Sequence, residues 1–306
     1  MKIFVTGANG FIGSAVSKGM AERGNDVLAL SRHAMSQVQL PPTLSAFEMD
    51  IRKEALTPLL VDQRPDALIH CVGTSTVYQA QETPHQDYLN TANSVAEMLE
   101  AIRIHSKNTA FILISSASVY GDRNGVPLAE TLNQQPISVY GYNKWLAELI
   151  VEQYATQFGM ATLVVRPFSV YGEGLKKQVV FDLCRKIVTS SNTLQINGTG
   201  NEIRDFIHVD DMVAGVVHLV QQRRTGIVNL GTGRPTKLVE LVKLLIAQLA
   251  PHLKYVFTGK PSFHNPQAML SDTTLAKSMG VKPVVSLEDG INRACNEFKR
   301  EYREGR

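Results

Sequence analysis

The chain has 306 residues, 44% of them hydrophobic and 19% charged, with a formal net charge of +3. That is ordinary globular composition, sufficient for one large α/β unit with a smaller appended lobe. The charge is too mild to argue for nucleic acid, and the one basic cluster, Lys299 to Arg306, reads as a solvated helix end or tail.

A strand is expected over Lys2–Thr6, then a glycine turn, then a helical pattern from about Phe11 to Arg23. The opening run MKIFVTGANGFIG is apolar but broken by glycines and Asn9. Neither a signal peptide nor a membrane span is therefore expected, and no later apolar run reaches about 18 residues. The expectation is a cytoplasmic protein without a membrane partner. Further strands are expected at Val27–Leu30, Ala46–Met49, Ala67–Cys71, Ala110–Ser115 and Ala161–Val165, with helical segments around His85–His105 and Ser138–Phe158. Short apolar runs alternating with helices imply βαβ units and a doubly wound parallel sheet. After about residue 167 the pattern loosens. Helices near Gln178–Thr189, Asp210–Gln221 and Lys237–Leu249 are interspersed with short strands, and a last helix opens after Ser286, with Glu288 and Asp289 in its first turn. The three cysteines, Cys71, Cys184 and Cys295, are odd in number and far apart in the chain. This fits reduced thiols better than a disulfide framework or a zinc site, so no metal is expected.

Gly7, Gly10 and Gly13 form G-x-x-G-x-x-G directly after the first strand and at a helix start. Glycines there let the backbone approach a pyrophosphate, whose charge the helix N-terminus favours. The competing reading is a tight strand–helix turn with no ligand; the βαβ context favours the ligand. Gly7, Asn9, Gly10, Phe11, Ile12 and Gly13 are thus candidate cofactor contacts. In an NAD site an acidic residue ends the second strand and holds the adenosine ribose. Here Ser31 stands in that place and Arg32 follows. A missing carboxylate removes repulsion against a 2′-phosphate, which a guanidinium binds bidentately. NADP(H) is favoured and NAD(H) stays open, since Arg32 also reads as a surface arginine. Asp50, after the third strand, is placed to accept a hydrogen bond from an adenine amino group, beside Ile51. Cys71 and Gly73 close the fourth strand, and Gly73 suits a close backbone approach.

Tyr140 and Lys144, at i and i+4 in a helical pattern, share a face. Upstream, Ser115-Ser116-Ala117-Ser118-Val119-Tyr120-Gly121 ends an apolar strand, where a doubly wound sheet places its crevice. The serine, the Tyr-x-x-x-Lys pair and the glycine turn, in this order and spacing, resemble the extended short-chain dehydrogenases/reductases, the NAD(P)-dependent epimerase/dehydratase family. The resemblance runs to about Gly290 and implies a Rossmann-type doubly wound sheet with a smaller C-terminal substrate-binding lobe. The corresponding division is 1–167 for the NAD(P)-binding domain and 168–306 for the lobe, with segments crossing back. It also implies that Tyr140 is the acid/base, its pKa lowered by a nearby ammonium. Lys144 would stabilise the phenolate and hold the cofactor ribose, and Ser116 would hydrogen-bond the substrate oxygen. Asn90 would support the site, and Pro167 would touch the cofactor. Ser118 is expected to face the substrate, whereas Tyr120 is equally readable as loop packing.

Later segments resemble the nucleotide-sugar branch: Arg166 to Gly172, Arg204 to Asp211, and Asn229-Leu230-Gly231-Thr232-Gly233. By this resemblance Arg204 contacts the diphosphate of a nucleotide sugar; the competing reading is a salt bridge with Asp205 or Asp210. Ser169 stands where the family often has Asn, and the usual later arginine is missing, with Lys260 or His264 as substitutes. Ala117 and Ser118 offer no acid, which excludes 4,6-dehydration. Ser31-Arg32 favours an NADPH-dependent 4-ketoreductase of a nucleotide-linked 4-keto-6-deoxyhexose over a 4-epimerase with bound NAD. A reading of another class, a non-catalytic dinucleotide-sensing protein, is weakened by the retained tyrosine and lysine. The resemblance further implies a homodimer, with Val139, Leu146, Leu149 and Ile150 readable as its contacts or as core.

Overall fold

The sheet grows outward from β1 (Lys2–Thr6), whose last four residues are all buried. The computed structural model describes residues 1–33, 35, 40–51, 56–74, 76–260 and 266–304. After β1 come α1 (Phe11–Glu22), β2 (Asp26–Ser31), β3 (Leu44–Glu48), α2 (Leu56–Gln63) and β4 (Ala67–His70). Then follow α3 (Val77–Glu82), α4 (Pro84–Tyr88), a π-helical turn at Leu89–Asn93, α5 (Ser94–His105) and β5 (Ala110–Ile114). A 3-10 turn at Ala117–Tyr120 leads to α6 (Val139–Phe158) and β6 (Thr162–Pro167).

The second half comprises β7 (Ser169–Tyr171), α7 (Gln178–Thr189), β8 (Thr193–Ile196), β9 (Ile203–Arg204) and β10 (Phe206–His208). It continues through α8 (Val209–Gln221), β11 (Gly226–Leu230), β12 (Thr236–Lys237), α9 (Leu238–Leu249) and β13 (Lys254–Phe257). It ends with β14 (Ala268–Met269), α10 (Thr274–Ser278) and α11 (Leu287–Glu304).

Seven parallel strands form the main sheet in the order β11-β6-β5-β4-β1-β2-β3. Both faces are covered, which is why strands such as β4, buried at every position, read as unbroken apolar runs. On one face α1 and α8 bury Val16, Met20, Met212 and Val216; on the other α2, α5 and α6 bury Leu60, Leu99, Ile102 and Val151. A third core, around Leu183, Ile187, Leu241, Leu245 and Ile291, joins α7, α9 and α11 in the C-terminal lobe. β1 pairs with β2 on one side, and the chain crosses back from β3 to β4 on the other. The strand order thus reverses between β1 and β4, and the carboxyl ends at such a reversal are the place where these sheets bind ligands.

Local signals account for most element ends. Ser138 Oγ accepts the Gly141 N–H at 3.2 Å to cap α6, and Gly159 ends that helix with φ of 65°. Ser286 Oγ likewise accepts the Asp289 N–H at 3.1 Å at the start of α11, as its sequence suggests. Two features differ from the sequence reading, and one segment beyond residue 167 returns to the main sheet. The third strand begins at Leu44 rather than Ala46. The single helical stretch expected over His85–His105 is interrupted by the π turn. β11 joins the main sheet, its Asn229 in register with Arg166 of β6. Cys184 of α7 and Cys295 of α11, distant in the chain, lie buried within hydrogen-bonding contact of each other as free thiols. Among the described residues no helix is long and apolar enough to cross a membrane.

Candidate active site

The first cavity opens at the carboxyl ends of β1, β2 and β4, with a volume of about 290 Å³. Gly7, with φ of 71°, turns the chain sharply there, and a Cβ on it would meet the Cys71 carbonyl carbon at 2.9 Å. Gly10 caps α1 without a side chain, and the first turn carries no acid, so no side chain competes for the positive end of that helix. Gly7, Asn9, Gly10, Ser31, Arg32, Asp50, Ile51, Cys71, Gly73 and Asn90 all line this cavity. Gly13 does not line it: a Cβ there would come within 2.2 Å of the Gly7 carbonyl oxygen, so this glycine lets the helix pack on the turn. The unblocked helix end and the glycine cradle fit a dinucleotide pyrophosphate. Ser31 Oγ donates to the His33 carbonyl at 2.8 Å, and exposed Arg32 makes no ion pair among the described residues.

The second cavity, of about 920 Å³, adjoins the carboxyl ends of β5 and β6 and reaches into the C-terminal lobe. Ser116, Ser118, Tyr140, Ser169 and Arg204 line it, as do Phe11, Ile12 and Pro167, so these last three are on this wall and not on the first cavity's. Tyr140 meets Ser116 because two elements pack closely. A Cβ on Gly141 would reach the Ser118 carbonyl oxygen at 2.7 Å, so only glycine lets α6 start against the 3-10 turn. The Tyr140 and Ser116 hydroxyls are hydrogen-bonded, and Ser116 Oγ donates to Ser118 Oγ at 3.1 Å. Lys144 is buried, donates to the Ile114 carbonyl at 3.0 Å, and lies 6.0 Å from the centre of the Tyr140 ring.

The protonation picture corrects the sequence reading. Burial pushes the Tyr140 phenol up, against the Ser116 hydrogen bond, and Asp87 pushes it further in the same direction. Burial lowers the Lys144 pKa, opposed by Asp87, Cys71 and Glu148. The free protein therefore holds the tyrosine as a neutral acid instead of an activated phenolate.

Behind the pair, a buried network fixes α6 to the sheet. Arg166 of β6 donates to Glu148 Oε2 at 2.6 Å through one amino group and to Glu148 Oε1 at 3.0 Å through Nε. Its other amino group reaches the Tyr120 hydroxyl at 2.8 Å, which donates to Asn229 Oδ1 at 2.8 Å. Ser115 Oγ also donates to Glu148. Tyr120 is therefore a buried structural residue, and Arg166 and Asn229 tie β6 and β11 to the helix bearing Tyr140.

Arg204 is treated differently. It is half-buried, donates to its neighbour's carbonyl, Ile203 O, at 2.8 Å, and has no salt bridge among the described residues. Burial lowers its pKa, with Glu202 and Asp122 opposing from a distance. The suspected partners are engaged elsewhere: Asp205 Oδ1 accepts from Thr232 N at 2.8 Å and Thr232 Oγ1 at 2.6 Å, while Asp210 pairs with Arg293 at 2.7 Å. Of the two basic substitutes, Lys260 is exposed and off the cavity wall, and His264 lies outside the described residues. Lys177 and Arg185 at α7, which sequence reasoning missed, line the cavity instead.

The model of the NAD dependent epimerase/dehydratase family matches residues 3–231. A putative UDP-glucose 4-epimerase of Methanocaldococcus jannaschii is 28% identical over 306 residues, covering 98% of this chain and 99% of its own. The GDP-6-deoxy-D-mannose reductase of Pseudomonas aeruginosa is 26% identical over 318 residues, covering 99% of each. The fold superimposes with a TM-score of 0.90 on a Bacillus cereus UDP-glucuronic acid 4-epimerase solved with UDP-glucuronic acid and NAD. That protein is 26% identical, with 99% of this chain and 100% of the other covered.

Proposed function

Since the chain belongs to the NAD dependent epimerase/dehydratase family, we propose that it is an NADP(H)-dependent 4-ketoreductase of a nucleoside-diphosphate 4-keto-6-deoxyhexose. One observation carries the choice. The second strand ends without a carboxylate, its Ser31 hydroxyl turned to the His33 carbonyl, while Arg32 stands unpaired among the described residues at the edge of the first cavity. A carboxylate would repel a 2′-phosphate and a guanidinium attracts one. The unblocked α1 N-terminus takes the pyrophosphate, and Asp50 and Ile51 flank the adenine.

When bound, the reduced nicotinamide supplies a hydride to the C4 carbonyl carbon. Ser116 orients that carbonyl by donating to its oxygen, and Tyr140 Oη gives its proton to the oxygen as the alkoxide forms. One hydride on carbon and one proton on oxygen make the alcohol. The phenolate left behind is stabilised by Lys144 and regains its proton from solvent. The raised Tyr140 pKa suits this direction, because reduction needs the protonated tyrosine. Arg204 closes on the diphosphate, with Ser118 and Ser169 beside the sugar. Asn90 supports the cofactor side of the site. The same reading makes the enzyme a cytoplasmic homodimer paired through α6, where Leu146 and Leu149 are exposed while Val139 and Ile150 are half-buried.

The relatives named as 4-epimerases favour a second reading, interconversion at C4 with retained NAD. A panel of nucleotide 4-keto-6-deoxysugars with NADPH separates the two. Stoichiometric loss of NADPH is expected, and Tyr140→Phe slows it by about 10²–10⁴-fold. A flat nicotinamide signal, together with interconversion of UDP-hexoses at C4, establishes the epimerase instead.

A further inference from the structure

Asp87, near the end of α4, has 0% exposure, although nothing in the reaction just described uses it. Burying a carboxylate is costly unless its oxygens are satisfied. Here Asn143 Nδ2 donates to Oδ2 at 2.6 Å and Thr91 Oγ1 to Oδ1 at 3.2 Å. Both donors are neutral, and no salt bridge compensates the charge among the described residues. Asn143 directly precedes Lys144 on α6, and Thr91 belongs to the π turn that carries Asn90. A Cβ on Gly73 would meet Lys144 Nζ at 3.2 Å and Thr91 Oγ1 at 3.3 Å, so the ammonium and the clamp flank the same point.

We propose that Asp87 is a positioning residue of the active site, a fixed buried negative charge, clamped by Asn143 and Thr91, that keeps Lys144 as the ammonium and Tyr140 as the proton donor. The proposal rests on Tyr140 acting as the acid. Among the groups facing the pair, Asp87 acts on Lys144 ahead of Cys71 and Glu148, and of these three it is the one that also acts on Tyr140. Ser116 is a neutral hydroxyl on Tyr140. Glu148 is held by Arg166. The Cys71 thiol is pushed up to about 12 by burial and stays neutral. His70, bonded to Thr6 and Ser94, is pushed down to about 3 by burial and by Lys144, and is neutral too. Asp87 thereby adds to burial in holding the phenol protonated and biases the site toward donating a proton, which is the reductive direction.

Asp87→Asn isolates the charge. The new amide can accept from Asn143 and donate to the Thr91 hydroxyl, so the hydrogen bonds survive without the negative charge. Tyrosinate absorbance of the substrate-free protein is titrated alongside Tyr140→Phe, which identifies the Tyr140 step. In Asp87→Asn that step moves down by about one pH unit, or enters the accessible range for the first time. The falling alkaline limb of the NADPH-linked rate moves with it. Thr91→Val, which keeps the carboxylate, leaves the step in place. The transposed Asp87→Asn/Asn143→Asp protein restores the charge across the same hydrogen bond and returns the step to its original position. A step that stays put in Asp87→Asn, is absent from both proteins, or moves equally in Thr91→Val overturns the proposal. Because the titration needs no substrate, its outcome is independent of whether the enzyme proves to reduce or to epimerise.

Discussion

Arg166 and Arg204 are both cations drawn out of bulk water, and the protein has treated them in opposite ways. Arg166 is 1% exposed, forms a two-pronged pair with Glu148, and stacks 4.7 Å over the Tyr120 ring while donating to its hydroxyl. Arg204 has one bond to the adjacent carbonyl and faces a cavity of about 920 Å³. A buried charge with a full set of partners is part of the frame; one whose partners are missing is part of a site. The same test sorts the aspartates around Arg204. Asp205 and Asp211 share a sequence segment with Arg204, but each fastens backbone: Asp205 at Thr232 and Gly233, Asp211 at Val284 and Val285.

The most damaging change expected is on the frame side. Arg166→Met strands Glu148 as a lone buried carboxylate and should cost about 3–5 kcal/mol in chemical denaturation. Replacing the pair together, Glu148→Leu with Arg166→Met, should recover most of that, because the uncompensated charge is gone. A single substitution costing under about 1 kcal/mol, the usual worth of an exposed pair, breaks the distinction between the two arginines.

Arg204→Met should do the reverse. No partner is orphaned, so the denaturation midpoint should hold or rise slightly as a desolvated cation is removed. Binding of a nucleoside diphosphate, followed by calorimetry, should weaken by about 1.5–3 kcal/mol, the worth of hydrogen bonds to a charged group. That corresponds to roughly ten- to hundredfold in affinity. Loss of stability with unchanged binding would place Arg204 in the frame with Arg166.

These outcomes bear on what a sequence reveals. The glycine turn, the Tyr140–Lys144 spacing, the Ser286 cap and the bounds of α7 were legible because each is set by neighbours within a turn or two. The Arg166–Glu148 pair was not. The lone arginine in the apolar run of β6 signals that a partner exists, and Glu148 shares a helix face with Lys144, but only the sheet register brings the two together. The Asp87–Asn143 clamp, the Cys184–Cys295 contact and the placing of β11 beside β6 depend on the same long-range packing. The direction of the Tyr140 shift is hidden from the sequence for a related reason. The Tyr140–Lys144 spacing is visible in the sequence, whereas the burial and the Asp87 charge that push the phenol up are not.

Arg32 offers the gentlest test, because it belongs to neither class. It is exposed, so its pull on a 2′-phosphate is screened by water and salt. Arg32→Ser should therefore narrow the preference for NADPH over NADH only about five-fold, the scale of a single exposed ion pair. Adding Ser31→Asp should reverse the preference by restoring the carboxylate that the ribose hydroxyls seek and the phosphate avoids. The effect of Arg32→Ser should shrink as salt rises, whereas the loss in Arg204→Met should persist, since only the second guanidinium is sheltered from counterions. A wild-type protein that binds both cofactors equally would make Arg32 a plain surface residue. It would return the reaction to the epimerase reading while leaving the assignments of Arg166 and Arg204 untouched.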